Sequence, residues 1–177
     1  YAGPVRKQMG VRTLFNLLGP LTNPAGAPCQ LLGVFAPELT EAFAHVLQRL
    51  GSRRVLVVHG HDGMDEITLT TTTRCSELKD GHIKTYDIDP AVYFENTCAI
   101  EELAGGAPAD NAAITRGILE GKITGPKRDI VLLNSAASLL SANRCADLAD
   151  GIQKSAQSLD SGAALDKLEK LIAFSKS

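Results

Sequence analysis

The stretch Q-L-L-G-V-F-A-P-E-L-T-E-A-F-A-H-V-L-Q-R-L-G-S-R-R-V-L-V-V-H, residues 30–59, decides the fold. Its first six residues, 30–35, are a brief apolar run and read as a buried strand. Pro37 then stands at the expected first position of a helix over residues 38–50, and Gly51 follows its end. Within that helix Leu39, Ala42, Phe43, Val46, Leu47 and Leu50 recur at helical spacing on one face. Residues 54–59 carry V-L-V-V and read as a second buried strand. Strand, helix, strand with short connections is a βαβ unit, which implies parallel strands and a right-handed crossover.

Upstream, residues 1–30 are broken by Pro4, Gly10, Gly19-Pro20, Pro24, Gly26 and Pro28. Between those breaks, residues 11–18 allow a short helix, with Thr13 as N-cap and Gly19 as C-cap. Downstream, residues 66–69 allow a short strand before the run Thr70 to Thr73. Residues 74–78 and 82–88 flank Asp80-Gly81, a strong hairpin signal. Residues 89–108 are loop-like. Helices follow over 110–120, 129–143, 146–159 and 163–174. The expected class is α/β: a mixed, largely parallel sheet with a βαβ unit, a hairpin and a C-terminal helical layer. No linker or repeat divides residues 1–177.

Composition narrows the partners. The chain of 177 residues is 44% hydrophobic and 21% charged, and its 18 Lys and Arg against 20 Asp and Glu leave a net charge of −2. That suits one soluble globular domain large enough for a real core. A sequence pI near 6.1 lacks the basic footprint of a nucleic-acid binder. No apolar run approaches a membrane span, and no basic segment followed by an apolar one opens the chain as a signal peptide would. Cys29, Cys75, Cys98 and Cys145 match no zinc spacing, so reduced thiols in a cytoplasmic protein are expected.

The densest polar cluster is His59-Gly60-His61-Asp62-Gly63-Met64-Asp65-Glu66, directly after the second strand. Ligands of open α/β sheets bind beyond the carboxyl ends of the strands. Three readings compete there. Mg²⁺ is held by one or two carboxylates plus substrate phosphates. Asp65 and Glu66 could supply them, provided they sit on a loop, because neighbours on a strand face opposite sides. A transition-metal site on His59 and His61 is the second reading; it fits poorly, since H-x-H-x-D-H is broken by Gly63 and Met64. The third is a solvated polar loop. Elsewhere, Arg6, Lys7 and Arg12 could bind a carboxylate or phosphate, or form a solvated basic loop. Gly19-Pro20 and Asn23-Pro24 fix turns, and Gly19 would permit close approach of a ligand. No phosphate-loop glycine motif or hydrolase serine motif occurs.

Several stretches together resemble the C-terminal half of the anthranilate phosphoribosyltransferase family. They are V-R-K-Q-M-G-V-R-T-L-F-N-L-L-G-P-L-T-N-P (5–24), Q-L-L-G-V-F (30–35), V-L-V-V-H-G-H-D-G-M-D-E-I (55–67), G-G-A-P-A-D-N-A-A (105–113) and R-D-I-V-L-L-N-S-A-A (128–137). The resemblance implies a nucleoside phosphorylase/phosphoribosyltransferase-like catalytic domain, of which residues 1–177 are the C-terminal part. It implies transfer of a phosphoribosyl group from phosphoribosyl pyrophosphate (PRPP) to anthranilate in tryptophan biosynthesis. It places Mg²⁺ on Asp65 and Glu66, the anthranilate carboxylate on Arg6, and Gly19 and Pro20 against anthranilate. It assigns His59 and His61 no catalytic role, and Asp65 and Glu66 would hold the metal and transfer no proton themselves. The family's PRPP-cradling glycine loops and its dimer helices precede this segment. The chain alone is therefore expected to be an inactive, incomplete site, completed by a missing N-terminal segment or companion fragment, and a homodimer when intact. The alternatives are a pyrimidine nucleoside phosphorylase-like enzyme and a silent nucleic-acid-binding homologue. A nucleobase would offer Arg6 no carboxylate, and the Asp65-Glu66 pair disfavours nucleic acid.

Overall fold

A computed structural model describes residues 14–95 and 97–176. Arg6 and Thr13 lie outside the described residues. The βαβ unit forms as the periodicity predicts: β1 (Cys29–Gly33), α2 (Leu39–Arg49) and β2 (Arg54–Gly60). β1 and β2 pair in parallel, from Cys29 opposite Arg54 to Gly33 opposite Val58. β3 (Thr73–Lys79) and β4 (His82–Ile88) then add antiparallel, giving the order β1-β2-β3-β4. The sheet is mixed, as expected; its parallel share is the β1/β2 pair, because no crossover helix joins β2 to β3 or β3 to β4 and each of these strands pairs antiparallel with the one before. The hairpin turns on Asp80 (φ 50°) and Gly81 (φ 78°). Two successive positive φ angles make a type I′ turn, which Asp-Gly favours.

The uninterrupted V-L-V-V run follows from β2 being covered on both faces, as in parallel sheets generally. Val55 and Val57 face α2, where Phe43, Ala44 and Leu47 cover them together with Leu78. Leu56 and Val58 face the other way, onto Leu133, Ala136, Ala137 and Leu140. Those four residues belong to α5 (Pro126–Ser141), the central helix of the C-terminal layer. Around it lie α4 (Pro108–Leu119), α6 (Leu148–Asp160) and α7 (Ala163–Ser175). The small residues of α5 let α6 approach closely: a Cβ added at Gly151 would sit 2.8 Å from that of Ala136. The one-turn helix α3 (Ile100–Leu103) and a 3₁₀ turn at Pro90–Val92 occupy the region expected as loop.

Two local expectations change. Gly19 does not end the first helix. That helix, α1 (Leu14–Leu21), runs through Gly19 and Pro20. It closes where the Thr22 amide (3.0 Å) and hydroxyl (2.9 Å) both donate to the Leu18 carbonyl. Proline removes one helical donor, and in a last turn nothing further depends on it. Residues 66–69 form no strand, although Ile67, Thr68 and Leu69 are buried. Their backbone groups bond to side chains: the Ile67 amide and carbonyl to Asn134 and the Thr68 amide to Thr73. Backbone groups engaged in this way have no ladder to join.

Candidate metal-binding loop

The loop of residues 61–72 leaves the carboxyl end of β2 and carries the acids singled out in the sequence. It begins with a tight turn. The Gly60 amide donates to the Met64 carbonyl and the Gly63 amide to the Gly60 carbonyl, each at 2.8 Å. Gly63 takes φ 95°, a conformation that favours glycine. A Cβ at Gly60 would meet the Asp62 carboxylate at 2.5 Å and the Thr68 methyl at 3.1 Å.

Asp62 staples the loop to itself. Its Oδ1 accepts from the Met64 amide at 3.0 Å. Its Oδ2 accepts from the Thr68 hydroxyl at 2.5 Å and from the Thr70 hydroxyl. Burial works to raise its pKa, but the hydrogen bonds from Thr68, Thr70 and the backbone outweigh burial and hold the carboxyl below its ordinary value. With both oxygens occupied in this way, Asp62 shapes the loop.

Asp65 and Glu66 are different. Both are exposed, both lie on the loop and not on a strand, and neither has a cationic partner among the hydrogen bonds and ion pairs of the described residues. The geometric condition for sharing one cation is thus met. Glu66 is exposed as a residue but partly desolvated by its surroundings, which raises its pKa first; the charges of Asp65 and Asp62 raise it further. Crowded carboxylates of this kind gain from a cation placed among them. Glu66 also lines a largely apolar groove of about 720 Å³ between α5 and α6, with Ile130, Asn134, Ser138 and Ser155.

Two residues that sequence reasoning did not single out brace this loop. Gly33, at the end of β1, lies so close to Asp65 that a Cβ there would fall 1.5 Å from the Asp65 carbonyl oxygen. A glycine inside an apolar strand run was the available signal, since it marks close backbone approach. Asn134 on α5 holds Ile67 from both sides: Oδ1 accepts from its amide (2.9 Å) and Nδ2 donates to its carbonyl (2.8 Å). Each such bond contributes about 1 kcal/mol net. Asn134 lies 67 positions away, and no local pattern announces it.

The histidines have structural employment. The Nδ1 of buried His59 lies 2.8 Å from the Val34 carbonyl, so it carries the proton and donates. That bond extends the β1/β2 contact past Gly33, where Gly60 has already turned away to Met64. His61 pairs with Asp87 on β4 at 3.2 Å, with both side chains about half exposed. Among the described residues no three His, Cys, Asp or Glu side chains gather as a metal cage. Two free carboxylates without a cage suit Mg²⁺, which takes few protein ligands and completes its octahedron with phosphate and water. Gly19 and Pro20 stand elsewhere. Pro20 lines a separate cleft of about 220 Å³ with Pro28, Gln30 and Ser52, at the starts of β1 and β2. No hydrogen bond among the described residues joins it to the acid loop. All four cysteines are free thiols, and no helix among the described residues is long and apolar enough to cross a membrane.

Comparison with known proteins gives the family. The chain is 56% identical over its whole length to an anthranilate phosphoribosyltransferase of Desulfosudis oleivorans, and covers 52% of that relative. It is 54% identical, over 97% of its length, to one from Geobacter sulfurreducens, covering 49% of it. The crystal structure of the Thermus thermophilus anthranilate phosphoribosyltransferase superposes with a TM-score of 0.88 at 42% identity, across 99% of this chain and 51% of that one. The Saccharomyces cerevisiae enzyme in complex with PRPP and Mg superposes with a TM-score of 0.84 at 30% identity, across 95% of this chain and 48% of that one. The chain therefore spans about half the length of the relatives it matches. Residues 1–165 match the model of the glycosyl transferase family, a/b domain, and the chain belongs to that family.

Proposed function

We propose that this chain forms the C-terminal part of an anthranilate phosphoribosyltransferase, joining anthranilate to the ribosyl carbon of PRPP and releasing pyrophosphate. The observation that carries the reading is the Asp65-Glu66 pair, without a cationic partner among the described residues and held on a braced loop beyond the parallel strands. When bound, Mg²⁺ would neutralise charge developing on the pyrophosphate leaving group. Asp65 and Glu66 would hold it as carboxylates and transfer no proton. The acceptor is an aromatic amine, neutral at pH 7, so its nitrogen lone pair attacks C1 of the ribose without a strong base. The C1–O bond to pyrophosphate breaks, and the nitrogen then loses its extra proton to water. The ribosyl carbon passes through an oxocarbenium-like state, where positioning and electrostatics supply most of the acceleration. Arg6 would orient the acceptor through a bidentate pair with its carboxylate. Gly19 and Pro20 would close against the acceptor ring.

The same reading makes the protein a cytoplasmic enzyme of tryptophan biosynthesis and a homodimer in its complete form. Residues for the PRPP glycine loops would come from an N-terminal segment or a companion fragment, and the present 177 residues alone would be inactive. The test follows anthranilate fluorescence in a chain extended to the length of the relatives. Loss of fluorescence that requires both PRPP and Mg²⁺ is the expected result. A folded, extended chain that consumes no anthranilate under those conditions contradicts the proposal. Arg6→Ala should raise KM for anthranilate more than KM for PRPP; equal effects would remove Arg6 from the carboxylate.

A further inference from the structure

We infer that Asn134 is a positioning residue for the metal-binding acids, setting the presentation of Glu66 through the backbone of Ile67. The inference rests on the reading of Asp65 and Glu66 as Mg²⁺ ligands. The Ile67 amide belongs to the peptide plane that Glu66 begins, and the Ile67 carbonyl belongs to the next plane. Asn134 bonds to both, at 2.9 and 2.8 Å, so it fixes the two planes that follow Glu66. Its remaining amide hydrogen donates to the Ile130 carbonyl at 3.0 Å. All of its donors are used, and only this orientation of the amide satisfies every partner.

The clamp is mounted on a rigid base. The nearby Ala136 and Ala137 are fully buried against the sheet, so α5 cannot shift without disturbing the core. Ile67 itself is fully buried in the same cluster. Glu66, the residue before it, is exposed and lines the groove in which Asn134 also stands. On the other side of the acid pair, Gly33 abuts the Asp65 carbonyl. The two acids are thus suspended between β1 and α5, and Asn134 supplies the polar half of that suspension. Hydrogen-bonding partners outside the ligand sphere typically change metal affinity by about 10–100-fold when removed. Asn134 acts one step further out, through the backbone, so the low end applies.

The test measures Mn²⁺ binding, by the paramagnetic resonance of free Mn²⁺, in a chain of the relatives' full length. PRPP is present and anthranilate is withheld, so no turnover occurs. Asn134→Ser is too short to reach both backbone groups of Ile67 and should weaken Mn²⁺ binding about tenfold. Leu133→Ala on the same helix removes packing alone; it should lower Tm with Mn²⁺ binding unchanged. If Asn134→Ser does not fold, Asn134→Leu, which keeps the branched shape and loses every hydrogen bond, should show the same tenfold weakening. An unchanged Mn²⁺ affinity in whichever variant folds overturns the positioning role, as does an equal loss in Leu133→Ala. The Asp65→Asn/Glu66→Gln variant separates the two readings. If it binds Mn²⁺ as the wild type does, the metal assignment fails and this inference falls with it. If it loses binding while Asn134→Ser does not, only the inference fails.

Discussion

Two connections join antiparallel neighbours in this sheet, and they are built in opposite ways. The turn between β3 and β4 is made by Asp80 and Gly81 alone, and the strands pair up to Lys79 opposite His82. The connection between β2 and β3 runs from His61 to Thr72, although the strands pair up to Gly60 opposite Thr73. Two residues would suffice for the second turn as they do for the first. The longer segment is held by side chains: the carboxylate of Asp62, the amide of Asn134, the hydroxyls of Thr68 and Thr73. Long loops without regular structure are uncommon in compact domains unless they serve function. The first connection satisfies topology. The second fixes two carboxylates in space.

The largest expected effect compares a glycine in each region. Gly33→Ala drives a methyl to within 1.5 Å of a backbone oxygen of the acid loop, so the loop or β1 must move. Overpacking typically costs about 1–3 kcal/mol, occasionally more. We expect the upper end by urea denaturation, together with loss of Mg²⁺-dependent turnover in the extended chain. Gly81→Ala meets no atom within 4 Å. It bears only the positive-φ penalty of about 1–2 kcal/mol, and turnover should be unchanged. Equal losses of turnover in the two variants would break the contrast.

Asp62→Ala comes next. It strands the Met64 amide and two hydroxyls. Hydrogen bonds to a charged group contribute about 1.5–3 kcal/mol; Asp62 is only half-buried, so about 1.5 kcal/mol is expected from denaturation. A variant as stable as the wild type would show that the staple does not hold the loop.

A smaller effect depends on pH. The Glu66 carboxyl has its folded pKa raised above the ordinary value of 4.5. It therefore opposes folding while ionised, and this opposition fades as pH falls through the folded pKa toward 4.5. Glu66→Gln should be more stable than the wild type at pH 7, and the difference should vanish below pH 4.5. Asp62 has the opposite sign. Its depressed carboxyl contributes stability above 3.8 that is lost as pH falls through its lower folded pKa. A stability difference for Glu66→Gln that grows on acidification would contradict a Glu66 carboxyl raised by desolvation and by the neighbouring acids.

The smallest effect is His61→Ala. Its ion pair with Asp87 is about half exposed on both sides. Exposed pairs contribute little, so a change within about 0.5 kcal/mol and unaltered turnover are expected. Loss of turnover would return His61 to the site.

The contrast also explains what could be read in the sequence. The Asp80-Gly81 turn, β2 and α2 are governed by near neighbours, and local chemistry names them. The acid pair was legible for the same reason, being adjacent and placed after a buried strand. The route of residues 66–69 was not, because its hydrogen bonds end on Asn134 and Thr73 and not on a neighbouring strand. Gly33 was visible as a glycine in an apolar run, but the carbonyl it makes room for is 32 positions away. Gly19 misled because a Gly-Pro pair commonly ends a helix, and here Thr22 caps one turn later.

The most direct measurement is a Mg²⁺ titration of anthranilate fluorescence loss in the extended chain, wild type against Asp65→Asn/Glu66→Gln. The variant should keep its fold and lose most of its turnover, with its Mg²⁺ requirement moved to much higher concentration. A variant whose Mg²⁺ titration overlays that of the wild type would contradict the metal assignment.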